Sequence, residues 1–190
     1  MKKIIIVLVA IIAFYSTSNA QAPPCPDDCP GVPWLGPFTF TCNVCNGVTA
    51  TCEFEMRCNT CKNPAMPEFR INGDININGP YSPLCTMEII IKELSKQIIK
   101  QKLGLITPCG PEDNLPVNFF TASCWKWDGL LQQGHPLPPM KPCYGTGCCL
   151  SHYQAIKQID NSYEVKYLNS RPYGPNTCDP NDPSCHYICE

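Results

Sequence analysis

The feature that most restricts the fold of this chain is its cysteine content, 16 residues in a chain of 190. A proportion this high is typical of domains stabilised by disulfides in an oxidising compartment. The number is even, so all the cysteines could pair, although spacing alone does not choose the pairing. Every cysteine is therefore a disulfide candidate: Cys25, Cys29, Cys42, Cys45, Cys52, Cys58, Cys61, Cys85, Cys109, Cys124, Cys143, Cys148, Cys149, Cys178, Cys185 and Cys189.

The N-terminal segment has the pattern of a cleavable signal peptide. Lys2 and Lys3 precede an apolar run over residues 4–15, and small or polar residues follow up to Ala20. This pattern predicts a signal peptide at residues 1–20, with cleavage between Ala20 and Gln21. The run is shorter than the roughly 20 apolar residues that a membrane-spanning helix needs. We therefore expect a secreted protein, extracellular or periplasmic, without a membrane span in its mature form.

Composition adds limits on organisation and partners. The 21 prolines predict short elements joined by turns, and the 14 basic and 16 acidic residues offer no basic patch for nucleic acid. We expect a Pro/Cys-rich arm at residues 21–34 and a single disulfide-rich domain at 35–190 that ends in a Cys-rich tail, 178–189. After residue 20 no Asn-x-Ser/Thr sequon occurs, which favours a bacterial source.

Alternating apolar and polar residues predict a β-hairpin near the start of the domain. The alternation runs over residues 38–44 and again over 48–57. A three-residue loop, Cys45-Asn46-Gly47, pairs Phe38 with Phe54 and keeps both apolar faces on one side, with Gly47 in the left-handed conformation.

The remaining elements complete an expected α+β fold. We predict a strand over 69–78, a second over 118–127, and a hairpin over 149–159 and 163–168. One amphipathic helix is predicted from Ser82-Pro83, as N-cap and first helical position, to Gly104. The sequence thus predicts a mainly antiparallel sheet of about five to six strands with one helix, loop-rich and stapled by disulfides.

Two patterns in the sequence resemble metal sites. The pairs Cys42-x2-Cys45 and Cys58-x2-Cys61 have the spacing of zinc knuckles. A strand over 48–57 would hold the pairs roughly 33 Å apart at ~3.3 Å per residue, which favours disulfides.

Asp74, Asn76 and Asn78 match the first half of a calcium loop, but its last ligand position is Cys85. We expect no metal and no cofactor, with calcium at these three residues as the alternative.

Residues for catalysis are few. The histidines are His135, His152 and His186, and no nucleophile elbow or metal-binding histidine pair occurs. Trp125 and Trp127 share one strand face and could stack on sugar rings or anchor a partner, with core packing as the alternative.

The stretch Pro142-Cys143-Tyr-Gly-Thr-Gly-Cys148-Cys149, followed by a tyrosine-bearing strand and a Cys-rich tail, resembles uncharacterised cysteine-rich secreted bacterial proteins. The resemblance covers the last third of the chain and implies no activity. We expect a non-catalytic structural, adhesive or binding domain whose partner is an extracellular protein or a polysaccharide. The alternative is a small secreted enzyme, effector or inhibitor.

Overall fold

The computed structural model describes residues 25–106, 108–110, 113–143, 147–174, 178–179 and 181–189. The predicted signal peptide at 1–20 and its cleavage position at Ala20 and Gln21 lie outside the described residues. The elements in chain order are β1 (Leu35–Cys45), β2 (Val48–Asn59), β3 (Met66–Asn78), α1 (Met87–Lys102), a 3-10 turn (Leu103–Leu105), β4 (Asn114–Ala122), β5 (Cys124–Trp127), β6 (Met140–Pro142), β7 (Cys148–Lys157), β8 (Tyr163–Tyr173) and β9 (His186–Tyr187).

The nine strands form one curled, mixed sheet. The strand order is β8-β7-β4-β3-β6-β5-β9. Strand β2 pairs with β3 on one side and with β1 on the other. The first half of β3 lies beside β4, in parallel, through Glu68, Phe69 and Arg70. Its second half contacts β6 through Ile75. The sheet therefore branches along β3.

The expected α+β fold with five to six mainly antiparallel strands is wrong. Strands take 50% of the described residues and helix 12%, and the sheet includes parallel pairing. The parallel pair arises because β3, α1 and β4 form a strand-helix-strand crossover, the connection that parallel neighbours require. The short strands β6 and β9 were not predicted, because neither is long enough to show an alternation of apolar and polar residues.

The first hairpin has the expected strand register with a different turn. Phe38 pairs with Phe54, as predicted. Cys45 pairs with Val48, so the loop has two residues, and a bulge after Asn43 restores the register. Gly47 has the expected positive φ, 72°.

The helix begins later than predicted. Thr86 is its N-cap, and the Thr86 side chain accepts a hydrogen bond from the N–H of Ile89. Ser82 instead closes a turn, in which its carbonyl accepts from the N–H of Cys85 at 3.0 Å. A residue with capping chemistry four positions upstream therefore stabilises the approach to the helix rather than the helix itself.

One face of the sheet packs against α1. A row of rings crosses four strands on this face, with centroids 6.5 Å apart for Phe54 and Phe69, 6.0 Å for Phe69 and Phe119, and 6.3 Å for Phe119 and Tyr153. The apolar stripe of the helix, which includes Ile90, Leu94, Ile98 and Ile99, is buried with these rings. This layer is the main hydrophobic core.

The opposite face holds a buried polar cluster under the N-terminal arm. Arg57 donates to the carbonyls of Cys29 and Val32, both at 3.2 Å, and forms a salt bridge with Asp27 at 2.9 Å. The ring of Trp34 lies 4.2 Å from the Arg57 guanidinium carbon. The arm is thereby fixed to the sheet by charge and by cation-π contact as well as by disulfides.

No helix in the described part of the chain is long and apolar enough to cross a membrane.

Candidate binding groove

A groove of about 390 Å³ lies beside the first turn of α1. Three segments surround it: the loop before the helix together with its first turn, the end of β5 with the loop that follows, and the C-terminal tail. Its lining residues are Tyr81, Ser82, Pro83, Cys85, Thr86, Met87, Glu88, Trp127, Leu131, His186 and Ile188. The volume is in the range of small-molecule sites, about 300–1,000 Å³.

The loop wall of the groove is held by backbone contacts. Gly79 accepts from the N–H of Leu137 at 2.9 Å, and the N–H of Tyr81 donates to His135 at 3.1 Å. A Cβ at Gly79 would lie 2.5 Å from the carbonyl oxygen of Gly47, so only glycine permits this close approach to the first hairpin. The Cys45–Cys85 disulfide then fixes the end of the loop to that hairpin.

The tail wall is fixed by two further disulfides. Cys143–Cys185 and Cys149–Cys189 bracket the segment that carries His186 and Ile188. The N–H of Ile188 also donates to the carbonyl of Ser123 at 3.0 Å. Since the loop wall and the tail wall are cross-linked to the sheet by disulfides, these two walls are preformed, which lowers the ordering cost of binding.

The chemistry of the lining is mixed. Tyr81 and Trp127 supply aromatic surface, and Leu131 is 42% exposed. The hydroxyls of Ser82 and Thr86 and the carboxylate of Glu88 add hydrogen-bonding groups at the helix start. Apolar faces with a few polar groups suit a ligand that has both a flat apolar surface and hydroxyls.

Of the two tryptophans predicted as a stacking pair, only Trp127 lines the groove. Trp125 is 1% exposed, and its indole N–H donates to the carbonyl of Ala122 at 2.9 Å. Trp125 is therefore a core residue. The two side chains lie on the same strand face, but Trp127 is at the edge of the core and is only partly buried.

The three histidines lie in different places. His186 lines the groove, and His135 lies in the loop beside it. His152 lies on β7, where its Nδ1 is 3.0 Å from Oδ1 of Asn118. Asn118 donates its amide to Glu68 at 3.3 Å, so its oxygen is left to accept from His152.

His152 thus meets an amide rather than a carboxylate, and among the described residues no hydroxyl or thiol hydrogen-bonds it. Burial, followed by the positive charge of Arg171, lowers the pKa of His152. The imidazole is therefore neutral at neutral pH, at the end of a polar row that runs through Asn118 to Glu68.

Most of the cysteines pair in seven disulfides, so the disulfide-bonded character of the chain is confirmed. The pairs are Cys25–Cys148, Cys29–Cys61, Cys45–Cys85, Cys58–Cys109, Cys124–Cys178, Cys143–Cys185 and Cys149–Cys189. The adjacent Cys148 and Cys149 bond to the arm and to the tail respectively.

Cys42 and Cys52 do not pair, which differs from the expected full set of bridges. They lie on neighbouring strands but not opposite each other, because Cys42 faces Ala50 and Cys52 faces Phe40. Diagonal neighbours of this kind are about 7–8 Å apart, beyond the usual span of a disulfide. Burial is the first cause that raises the pKa of Cys42 to about 11 and of Cys52 to about 12.

Neither metal alternative finds a convergent set of ligands among the described residues. The cysteines that have the zinc-knuckle spacing form disulfides with other cysteines: Cys45 is bonded to Cys85, and Cys58 is bonded to Cys109. Asp74, Asn76 and Asn78 alternate along the exposed face of β3. Alternate residues of a strand are about 6.6 Å apart, so these oxygens do not surround one ion as they would in a loop.

Sequence reasoning missed most of the groove. Tyr81 and Leu131 lie in loops, and His186 lies in a two-residue strand. Disulfides and backbone hydrogen bonds between segments distant in sequence bring these residues together, and neither can be read from spacing. The one available signal was the tryptophan at the end of a predicted strand, Trp127.

No protein-family model, curated protein or solved structure matches the chain.

Proposed function

We propose that the protein is a secreted binding domain that holds a polysaccharide segment in the groove beside α1. The observation that carries this proposal is the groove itself, about 390 Å³ and lined by Tyr81 and Trp127. Aromatic side chains bind the apolar faces of sugar rings, while Glu88, Ser82 and Thr86 are placed to bond sugar hydroxyls.

Secretion is the second part of the proposal. It is supported by the signal-peptide pattern at residues 1–20 and by the seven disulfides, which need an oxidising compartment to form. A bacterial source, with export to the periplasm or beyond the cell, is supported by the absence of a sequon after residue 20.

A binding role fits the mechanics of the site better than turnover. The loop wall and the tail wall of the groove are fixed by Cys45–Cys85, Cys143–Cys185 and Cys149–Cys189. Among the described residues no hydrogen bond joins His186 to a carboxylate or a hydroxyl, the contact that a general base makes.

The proposal is tested by calorimetric titration of the oxidised protein with soluble oligosaccharides of cellulose, chitin and peptidoglycan. Two adjacent leucines supply a matched pair of variants, since Leu131 lines the groove and Leu130 does not. We expect Leu131→Ala to weaken binding at least about tenfold, equivalent to ~1.4 kcal/mol, and Leu130→Ala to leave it unchanged.

Recovery of the oligosaccharide unaltered would separate binding from hydrolysis. The proposal fails if no oligosaccharide binds, or if Leu130→Ala and Leu131→Ala weaken binding equally.

A further inference from the structure

Strand β8 forms one edge of the sheet. Within the described residues its only strand partner is β7, and it is 11 residues long. A long edge strand presents backbone N–H and C=O groups to which another strand can add.

The hydrogen-bond pattern of the β7–β8 hairpin shows which residues face that edge. The N–H of Gln158 donates to the carbonyl of Ser162 at 2.8 Å, next to the turn. In an antiparallel ladder the bonded positions recur at every second residue, so Glu164 and Lys166 bond to β7. The backbone groups of Tyr163 and Val165 therefore point away from β7, toward the edge.

The charges on β8 are arranged so that the strand complements a second copy of itself. Glu164 and Lys166 lie on the same face, on either side of Val165; their side chains are 3.4 Å apart in an exposed ion pair, and both are 54% exposed, so each can also reach a charge on an added strand. If two β8 strands pair antiparallel about a two-fold axis at Val165, each Glu164 faces Lys166 of the second copy. Opposite charges directly across an antiparallel pair are stabilising, and like charges are destabilising.

The other face of the strand is compatible with the same pairing. Tyr163 and Val165 are half-buried and pack against the hydrophobic core of their own chain. About the same axis, Tyr163 faces Tyr167 of the second copy. Aromatic cross-strand pairs of this kind also favour association.

We propose that β8 is a self-association surface, through which two copies of the chain pair antiparallel with Val165 on the two-fold axis. The contact is isologous, so it closes with two copies and does not propagate into a fibre. The two sheets become one continuous sheet across the axis.

Sedimentation velocity of the oxidised protein over a wide concentration range tests this proposal. The wild-type protein is expected to show a monomer-dimer equilibrium. Glu164→Lys and Lys166→Glu should each weaken the dimer at least about tenfold, because each places like charges across the axis. The double variant with both substitutions should restore it.

A mixture of the two single variants provides the sharpest outcome. The mixed pair has opposite charges at both contacts, so it should dimerise at least about tenfold more tightly than either variant does alone. Both side chains are exposed, and unchanged far-ultraviolet circular dichroism would verify that the variants fold. The proposal is overturned if the wild-type protein stays monomeric throughout, or if its dimer is insensitive to both single reversals.

Discussion

Arg57 and Glu68 face each other across β2 and β3 as a buried ion pair. Nε and Nη2 of Arg57 lie 2.9 and 2.8 Å from Oε2 of Glu68, and the two side chains are 2% and 0% exposed. Oε1 of the same carboxylate accepts from Asn59 at 2.9 Å and from Asn118 at 3.3 Å. The pair thus connects the arm above the sheet with the polar row that ends at His152.

Removal of the carboxylate should be strongly destabilising. Glu68→Ala leaves the Arg57 guanidinium buried without its main counter-charge, and such losses cost about 3–5 kcal/mol. Denaturant unfolding measures the change in the free energy of unfolding. Lys96→Ala is the control, because its pair with Glu93 is about one-third exposed and is worth at most ~1 kcal/mol. Equal effects of the two substitutions would contradict a structural role for the buried pair.

The tail should show an acid-sensitive contact at Asp182. The hydrogen bond from Lys126, at 2.8 Å, is the first cause that lowers the pKa of Asp182 from 3.8 to about 2. A carboxylate whose folded-state pKa is depressed stabilises the fold above its ordinary pKa, and this contribution is lost as pH falls through the folded-state value.

We therefore expect wild-type protein to melt above Asp182→Asn at neutral pH, with a difference that shrinks between pH 4 and pH 2. Thermal unfolding of both proteins across this range measures the difference. A difference that persists unchanged below pH 2 would show that Lys126 and Asp182 do not form the ion pair described.

Two thiols should remain after oxidative folding. Because burial raises the pKa values of Cys42 and Cys52 to about 11 and about 12, both are protonated at neutral pH and should react slowly in the native protein. Unfolding without a reductant should allow alkylation of these two residues alone, and reduction should expose all 16 cysteines. Mass spectrometry counts the alkyl groups. Absence of alkylation before reduction would mean that an eighth disulfide joins the pair.

Local patterns were predictable from the sequence where a segment is long and alternates. The register of Phe38 with Phe54 followed from keeping two apolar faces together, and the helix followed from its apolar spacing. The parallel pairing of β3 with β4 was missed because it depends on where the crossover through α1 places the returning strand. The groove was missed because its walls are distant in sequence and joined by disulfides such as Cys45–Cys85.

The buried ion pair shows a second limit of sequence reasoning. Arg57 is a polar position of a predicted alternating strand, and Glu68 directly precedes the next predicted strand, 69–78; polar residues at such positions usually face solvent. They are buried because the arm, anchored by Cys29–Cys61, covers that face of the sheet. Which face a tethered arm covers is a tertiary outcome, and no local pattern encodes it.

The measurement that tests the binding groove most directly is an NMR titration of the indole N–H signals with the oligosaccharide that binds. The chain has three tryptophans in three environments: Trp34 beside Arg57, Trp125 in the core and Trp127 in the groove. We predict that saturation with ligand shifts the Trp127 signal and leaves those of Trp34 and Trp125 in place. A shift at Trp34 with none at Trp127 would place the ligand at the arm and contradict the groove as the binding site.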